Sequence, residues 1–429
     1  MGRSTFWCTE SGGTRRVVLV TALLACGVAA RGRAQHEHAG APEEPTEVLG
    51  IPMTRIGSGT AWLPDAAPMP GYHGRAGGWT VMAHGSAFLQ YDRQFGTRGD
   101  YQVGSVNWLM VGLVRDVAGG VVRLRALASA EPWTLTDRGY PQLLQSAEPY
   151  PNRQHPHHVV SEAAVAFEHA VGSRVALSLY AAPVGEPALG PVFYLHRPLA
   201  ALDPTAPLGH HAQDFTHTSF GVVTWSAFSH NARVEASAFN GTHPDSVRTN
   251  FDAVRLDSYA VRLSLNPSSH WALAAWFGHL APTQSSHAHE ASDRFGASAL
   301  LTKPFGVAGQ WSTALVYSAD LPADAGHPLN SVLLETTLQL DRANALFGRA
   351  EYVRRTAGDL ALVGSVSREL DTAAVSLGYQ RRVLGSAGLN AGVGAKGTLN
   401  LVPEELRLFY GSRTPAAVMA YLLVRPSPR

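Results

Sequence analysis

SYAVRLSLN, Ser258 to Asn266, puts Tyr259, Val261, Leu263 and Leu265 on one side of an extended chain and Ser258, Arg262, Ser264 and Asn266 on the other. Successive side chains of a strand point to opposite faces, so this is a strand with one apolar and one polar face. The period of two recurs near 331–341, where Val332, Leu334, Leu338 and Leu340 oppose Ser331, Glu335, Thr337, Gln339 and Asp341. It recurs near 372–382 (Ala373, Val375, Leu377 and Tyr379 against Thr372, Ser376, Gln380 and Arg382) and at 174–182 (Val175, Leu177 and Leu179 against Arg174, Ser178 and Tyr180). A strand of roughly ten residues with lipid on one side and a wet lumen on the other needs this pattern. A soluble β-sandwich alternates as well, so the connections must decide.

They do so by length. About sixteen strand-like segments are joined alternately by tight turns and long loops. Short joins fall near Ala118-Gly119, Val171-Gly172, His230-Asn231, Pro267-Ser269, Pro304-Gly306, Arg342-Ala343 and Leu384-Gly385. Long ones fall at about 92–102, 131–158, 183–216, 241–256, 281–293, 319–330, 355–370 and 398–415. The expected fold is all-β: a transmembrane antiparallel β-barrel with short periplasmic turns and long extracellular loops, in the bacterial outer membrane. Both ends of the barrel domain then lie in the periplasm.

Residues 1–34 read as a signal peptide. Arg15-Arg16 precede an apolar stretch, Val17 to Ala30, that is too short to span a bilayer, and Gly32-Arg33-Ala34 offers a small-x-small cleavage site. Leu23-Leu24-Ala25-Cys26 offers a competing lipobox with a lipidated Cys26. Both cysteines, Cys8 and Cys26, lie in this presequence, so the mature chain forms no disulfide. A net charge of +1 and 16% charged residues argue against a nucleic-acid surface. The barrel domain takes residues 78–429. Before it, residues 35–77 form a periplasmic extension that opens as a Pro-, Gly- and His-rich tail. Its later part, LGIPMTRIGSGTAWLPDAAPM from Leu49 to Met69, carries Trp62, Leu63 and two methionines. It reads either as a plug tucked into the periplasmic mouth or as a linker with incidental apolar residues.

Four stretches carry a family resemblance: this Leu49–Met69 segment; RQHPHH at Arg153–His158, with Glu162 following; HRP at His196–Pro198 with PLGHHAQDFTHTSFGVV at Pro207–Val223; and ASAFNGTHPD at Ala236–Asp245. Together they resemble a family of uncharacterised bacterial outer-membrane β-barrel proteins, sometimes found beside heavy-metal efflux genes. The resemblance runs from about Leu49 to the C-terminus and implies the barrel architecture. The family pattern has Asp after the first His-Pro-His where this chain has His158.

Histidines are the chemical puzzle. His155, His157, His158, His196, His210, His211 and His217 gather in the second and third long loops, which neighbour each other around the rim. With Asp214 and Glu162 they would suit Zn or Cu. The alternative is that they hydrogen-bond long loops into a fixed shape, with no cofactor. His36, His38, His287 and His289 fall in tail or loop and offer adventitious metal contacts.

In general porins the third long loop narrows the channel. Here it is the longest, about 183–216, and six prolines stiffen it: Pro183, Pro187, Pro191, Pro198, Pro204 and Pro207. Folded inward, it would carry His196, Arg197, His210, His211 and Asp214 into a lumen lined by Arg262, Arg349, Glu351 and Lys396. The expected function is a porin-like, non-enzymatic channel for small solutes, linked to metal homeostasis through the histidines, with outer-membrane lipids around it and a homo-oligomer as its form. Two alternatives stand. One is a lipid hydrolase with His217 as base and Ser219 as nucleophile, two apart on one strand face. The other is a structural barrel. The last strand, about Ala416–Val424, runs into Arg425-Pro-Ser-Pro-Arg429 and lacks a terminal aromatic.

Overall fold

Alternating apolar and polar side chains cannot be satisfied by one flat sheet in lipid, because its edges would leave unpaired backbone groups; only closure removes them. A computed structural model describes residues 48–136, 138–145, 150–282, 291–307, 309–323, 327–362, 369–386 and 388–426. The proposed signal peptide and His36, His38, His287 and His289 lie outside these residues. Sixteen antiparallel strands close into a barrel, each paired with its sequence neighbour and the last with the first. They are β1 (Trp79–Gln94), β2 (Tyr101–Val117), β3 (Gly120–Ala128), β4 (Val160–Val171), β5 (Val175–Val184), β6 (Val222–Phe228), β7 (Ala232–Phe239) and β8 (Ser258–Ser268). The second half is β9 (Trp271–Leu280), β10 (Ser292–Phe305), β11 (Gly309–Pro322), β12 (Leu329–Gln339), β13 (Asn344–Thr356), β14 (Glu369–Ser386), β15 (Leu389–Leu401) and β16 (Ala416–Pro426).

The wall obeys the alternation residue by residue. Along β8, Tyr259, Val261, Leu263 and Leu265 point outward and Ser258, Arg262, Ser264 and Asn266 are buried in the interior. Outward aromatics form two belts: Tyr91, Tyr101, Tyr259 and Tyr317 near the long-loop end, and Trp271, Phe305 and Tyr379 towards the short-turn end. Between them the outer surface is mostly Leu and Val, including Leu179, Leu263, Leu334, Leu377 and Leu422. An apolar band flanked by aromatic girdles is the surface a lipid bilayer demands. The protein is a bacterial outer-membrane barrel.

Two connections differ from expectation. The first long loop is short, since β1 continues to Gln94 and β2 starts at Tyr101. The last periplasmic turn lies beyond Ser386 rather than at Leu384-Gly385; the ladder slips register between Arg382 and Leu384, where the period of two is lost. A short leading strand, Tyr72–Ala76, pairs with the start of β1 (Tyr72 with Ala83, Ala76 with Trp79). β16 uses the same edge of β1 higher up, Val424 to Ala417 against Ala87 to Gln94. The seam is thus filled by two strands laid end to end.

Candidate functional site

Inward side chains make the lumen, and the wall sequence makes it charged. Arg125 and Tyr180 both reach Glu162 (2.6 and 2.8 Å). Arg233 and Arg262 share Glu235 at 3.0 and 2.9 Å. Arg349 lies between Glu335 and Asp203 at 3.4 and 3.6 Å, and Lys396 holds Asp203 at 2.8 Å. All these groups are buried, and buried charges persist only when paired and hydrogen-bonded.

They are buried because two pieces of chain fill the lumen. From the periplasmic side, residues 51–63 enter the mouth: Arg55 is tied to Asp65 at 2.6 Å and donates to the carbonyl of His230 in a periplasmic turn. Trp62 is 4% exposed and packs edge-on to Phe228, ring centroids 6.4 Å apart. Arg262 Nη2 donates to Thr60 Oγ1 (2.9 Å), and Asn266 Nδ2 donates to the Leu63 carbonyl (2.8 Å). From outside, loop 3 (185–221) folds into the barrel and is buried over almost its whole length. Arg197 Nε donates to Glu335 Oε1 on β12 at 2.6 Å, and its Nη1 to the Val192 carbonyl at 2.9 Å. Loop 3 and the entering segment meet where the Phe193 N–H donates to Ser58 Oγ (2.8 Å). Gly59 has φ +49° there and sits so close to Glu186 that a Cβ would fall 2.9 Å from it, so only glycine fits. A cavity of about 220 Å³ remains beside His84, Trp108, His196 and Met69.

The loop histidines separate into distinct groups. His157 is satisfied on both ring nitrogens, by Glu131 (2.9 Å) and the Tyr194 hydroxyl (3.2 Å). His210 bonds Asp214, whose other oxygen accepts from the Tyr194 N–H at 3.2 Å. His217 stacks on Phe193 (centroids 4.0 Å) with Nδ1 at 2.8 Å from the Asp214 carbonyl. His196 is 3.2 Å from His84 Nε2 on β1, a residue that sequence clustering missed. His155 and His211 converge instead with a third imidazole from loop 4 (240–257), His243; one nitrogen of each lies within 4.8 Å of the others. Thus the eight sequence-derived candidates do not form one centre, and the converging set includes a residue outside them.

His217 and Ser219 form no dyad. His217 ends a short 3₁₀ turn, Phe215–His217, and β6 starts only at Val222, so the two are not on one strand face. Ser219 Oγ donates to the Thr216 carbonyl (3.1 Å) and His217 is engaged elsewhere; both are buried away from lipid. Gly221, at φ +104°, breaks the extended chain between them and the strand.

His158 is 3.4 Å from Arg248 Nη1 in loop 4. Burial, and then Arg248 and His243, push its pKa down to about 3. Unfolded, the imidazole takes up a proton near pH 6.5; folded, it stays neutral to about pH 3. Between those values the unfolded chain holds more protons, so stability rises with pH and is lost on acidification. The unfolding free energy of the wild type, from urea titrations, should fall more steeply from pH 6.5 to 4 than that of His158→Gln, by roughly 1 kcal/mol per pH unit. Parallel profiles would mean that folding leaves His158 titrating normally.

No protein-family model matches the chain, and no curated protein matches it. Among solved structures the barrel is similar to OmpF of Salmonella typhi, solved with daunomycin, at TM-score 0.52 and 9% identity, over 82% of this chain and 99% of that one. The fold is porin-like. It is also similar to an anion-selective porin from Comamonas acidovorans (TM-score 0.49, 10% identity, 81% of this chain and 99% of that one) and to the outer-membrane channel DcaP of Acinetobacter baumannii (TM-score 0.47, 8% identity, 82% and 98%). The OmpF likeness concerns the fold alone.

Proposed function

We propose that the protein is a gated porin-type channel for small polar solutes, held shut by its own N-terminal segment and third loop. One observation carries this reading: residues 51–63 occupy the periplasmic mouth through side-chain hydrogen bonds and the packing of Ile51, Met53, Ile56 and Trp62 on the inner wall, outside the strand ladder. Removing them would uncover Arg262, Glu235 and Asn266, a polar lining suited to water and ions. A barrel of sixteen strands has room for an aqueous channel once its contents move. The resemblance to barrels found beside heavy-metal efflux genes extends the reading to metal ions as one solute class. Hydrolysis of lipid draws no support from His217 and Ser219.

The Ala66 N–H donates to the Ser269 carbonyl in a periplasmic turn at 2.9 Å, which makes the pair a natural latch. Because Cys8 and Cys26 precede residue 35, the chain from Gln35 onward has no thiol of its own. In a Trp62→Ala background, Ala66→Cys/Ser269→Cys should show discrete conductance steps in planar bilayers when reduced, none when oxidised, and recovery with dithiothreitol. Identical steps in both states would remove the segment as the gate. Silence in both would favour a structural barrel.

A further inference from the structure

We propose that His155, His211 and His243 form a binding site for a late first-row transition cation, zinc or copper, that staples three surface loops together. His155 comes from loop 2 (129–159), His211 from loop 3 and His243 from loop 4, so no two ligands are local in sequence. Their rings already surround one point, with centroid separations of 5.1, 5.6 and 5.7 Å.

The ring nitrogens are arranged for coordination. His155 and His243 each precede a proline, and each places Nδ1 against that proline's carbonyl: 3.1 Å to Pro156 and 2.9 Å to Pro244. A carbonyl only accepts, so Nδ1 carries the proton in both rings and Nε2 presents its lone pair. A backbone carbonyl on the far nitrogen is the usual way a ligating histidine has its tautomer and ring angle fixed. Nε2 of His155 and Nε2 of His211 are buried with no hydrogen-bond partner. Such atoms carry a desolvation cost unless something satisfies them, and a cation does. Burial keeps all three imidazoles below their ordinary pKa, so they are neutral at neutral pH, as ligands must be.

Three neutral imidazoles with no carboxylate, and with the Arg248 guanidinium nearby, disfavour magnesium and calcium, which want oxygen ligands. Zinc–nitrogen bonds near 2.1 Å bring tetrahedral ligand atoms to roughly 3.4 Å apart, so side-chain rotation must draw the nitrogens in. Three protein ligands leave a fourth position for water or an external donor. The site stands whether or not the barrel conducts.

The test is calorimetric titration of the refolded mature protein with zinc chloride and, separately, copper sulfate, with magnesium chloride as control. His36→Ala/His38→Ala/His287→Ala/His289→Ala is the background, to silence the adventitious histidines. One zinc or copper per chain is expected, with no response to magnesium. Replacement of His155, His211 or His243 by Ala should each weaken binding at least about tenfold, since even outer-shell partners are worth about 10–100-fold. His279→Ala, a wall residue paired with Asp293 at 2.7 Å, should change nothing. Zinc-edge X-ray absorption should report three imidazole nitrogens near 2.0 Å. Heat-modifiable migration on gels checks that each variant is a folded barrel, and the Gln variants replace any Ala variant that is not. Unchanged affinity in folded His243→Ala, or equal loss in His279→Ala, overturns the proposal. So does the absence of stoichiometric binding.

Discussion

Trp62→Ala should convert a quiet barrel into a conducting one. Trp62 is the largest apolar side chain of the entering segment; it lies against Phe228, with the Arg55 guanidinium 5.0 Å and that of Arg233 6.0 Å from its ring centre. Truncating a buried Trp costs about 3–5 kcal/mol through lost transfer energy, lost cation–π attraction and the cavity left behind. Its Nε1 has no partner in the folded protein, so deletion also removes a standing penalty and the lower part of that range is expected. About 3 kcal/mol still raises the unseated population by a hundredfold or more. Bilayer recordings should show open steps in Trp62→Ala that are rare in the wild type, and Trp62→Phe should remain nearly quiet. An alanine variant as silent as the wild type would place the barrier elsewhere, with loop 3 the obvious holder.

Glu335→Ala should free that loop. Its carboxylate receives Arg197 from loop 3 and Arg349 from β13, and its removal strands buried guanidinium groups. Breaking a buried pair by deleting one partner costs about 3–5 kcal/mol, because the surviving charge keeps its desolvation penalty. Arg349 retains Asp203, so the damage falls chiefly on Arg197, whose remaining contacts are the Val192 carbonyl and Asp214 at 3.7 Å. Chymotrypsin added outside proteoliposomes should cut after Tyr194 in the variant and not in the wild type, and the urea midpoint should drop. Arg197→Met/Glu335→Ala should be less destabilised than Glu335→Ala alone, since no unmatched loop charge remains. If the double variant is the weaker one, loop 3 is held by something other than this pair.

How far the chain could be read depended on whether local pattern carried the information. Strand faces were legible because the wall separates lipid from lumen, and every second residue of 258–266 reports its side. The wall charges Arg262, Arg349 and Lys396 were visible for the same reason. Beyond the bilayer both faces of a strand are wet and the alternation loses its cause, so the pattern does not fix the end of β14. A three-residue alternation cannot distinguish a strand from a loop, which is how His217 and Ser219 came to look like a pair on a wall. Metal geometry was hidden for another reason. Counting histidines along the chain gathers neighbours in sequence, whereas His155, His211 and His243 come from three separate loops, 2, 3 and 4. The usable signal was the repeated dipeptide His155-Pro156 and His243-Pro244, which gives both rings the same hydrogen bond.

The leading strand at the seam has a kinetic meaning. Residues 72–76 are zipped to β1, and the segment that enters the lumen ends only a few residues before them. A blocker on so short a leash cannot diffuse away; it faces its seat at an effective concentration on the order of millimolar. On the proposed gating, every opening is therefore a unimolecular excursion that ends on the same chain. Dilution and washing leave its frequency unchanged, and dwell times report leash length and seating strength alone.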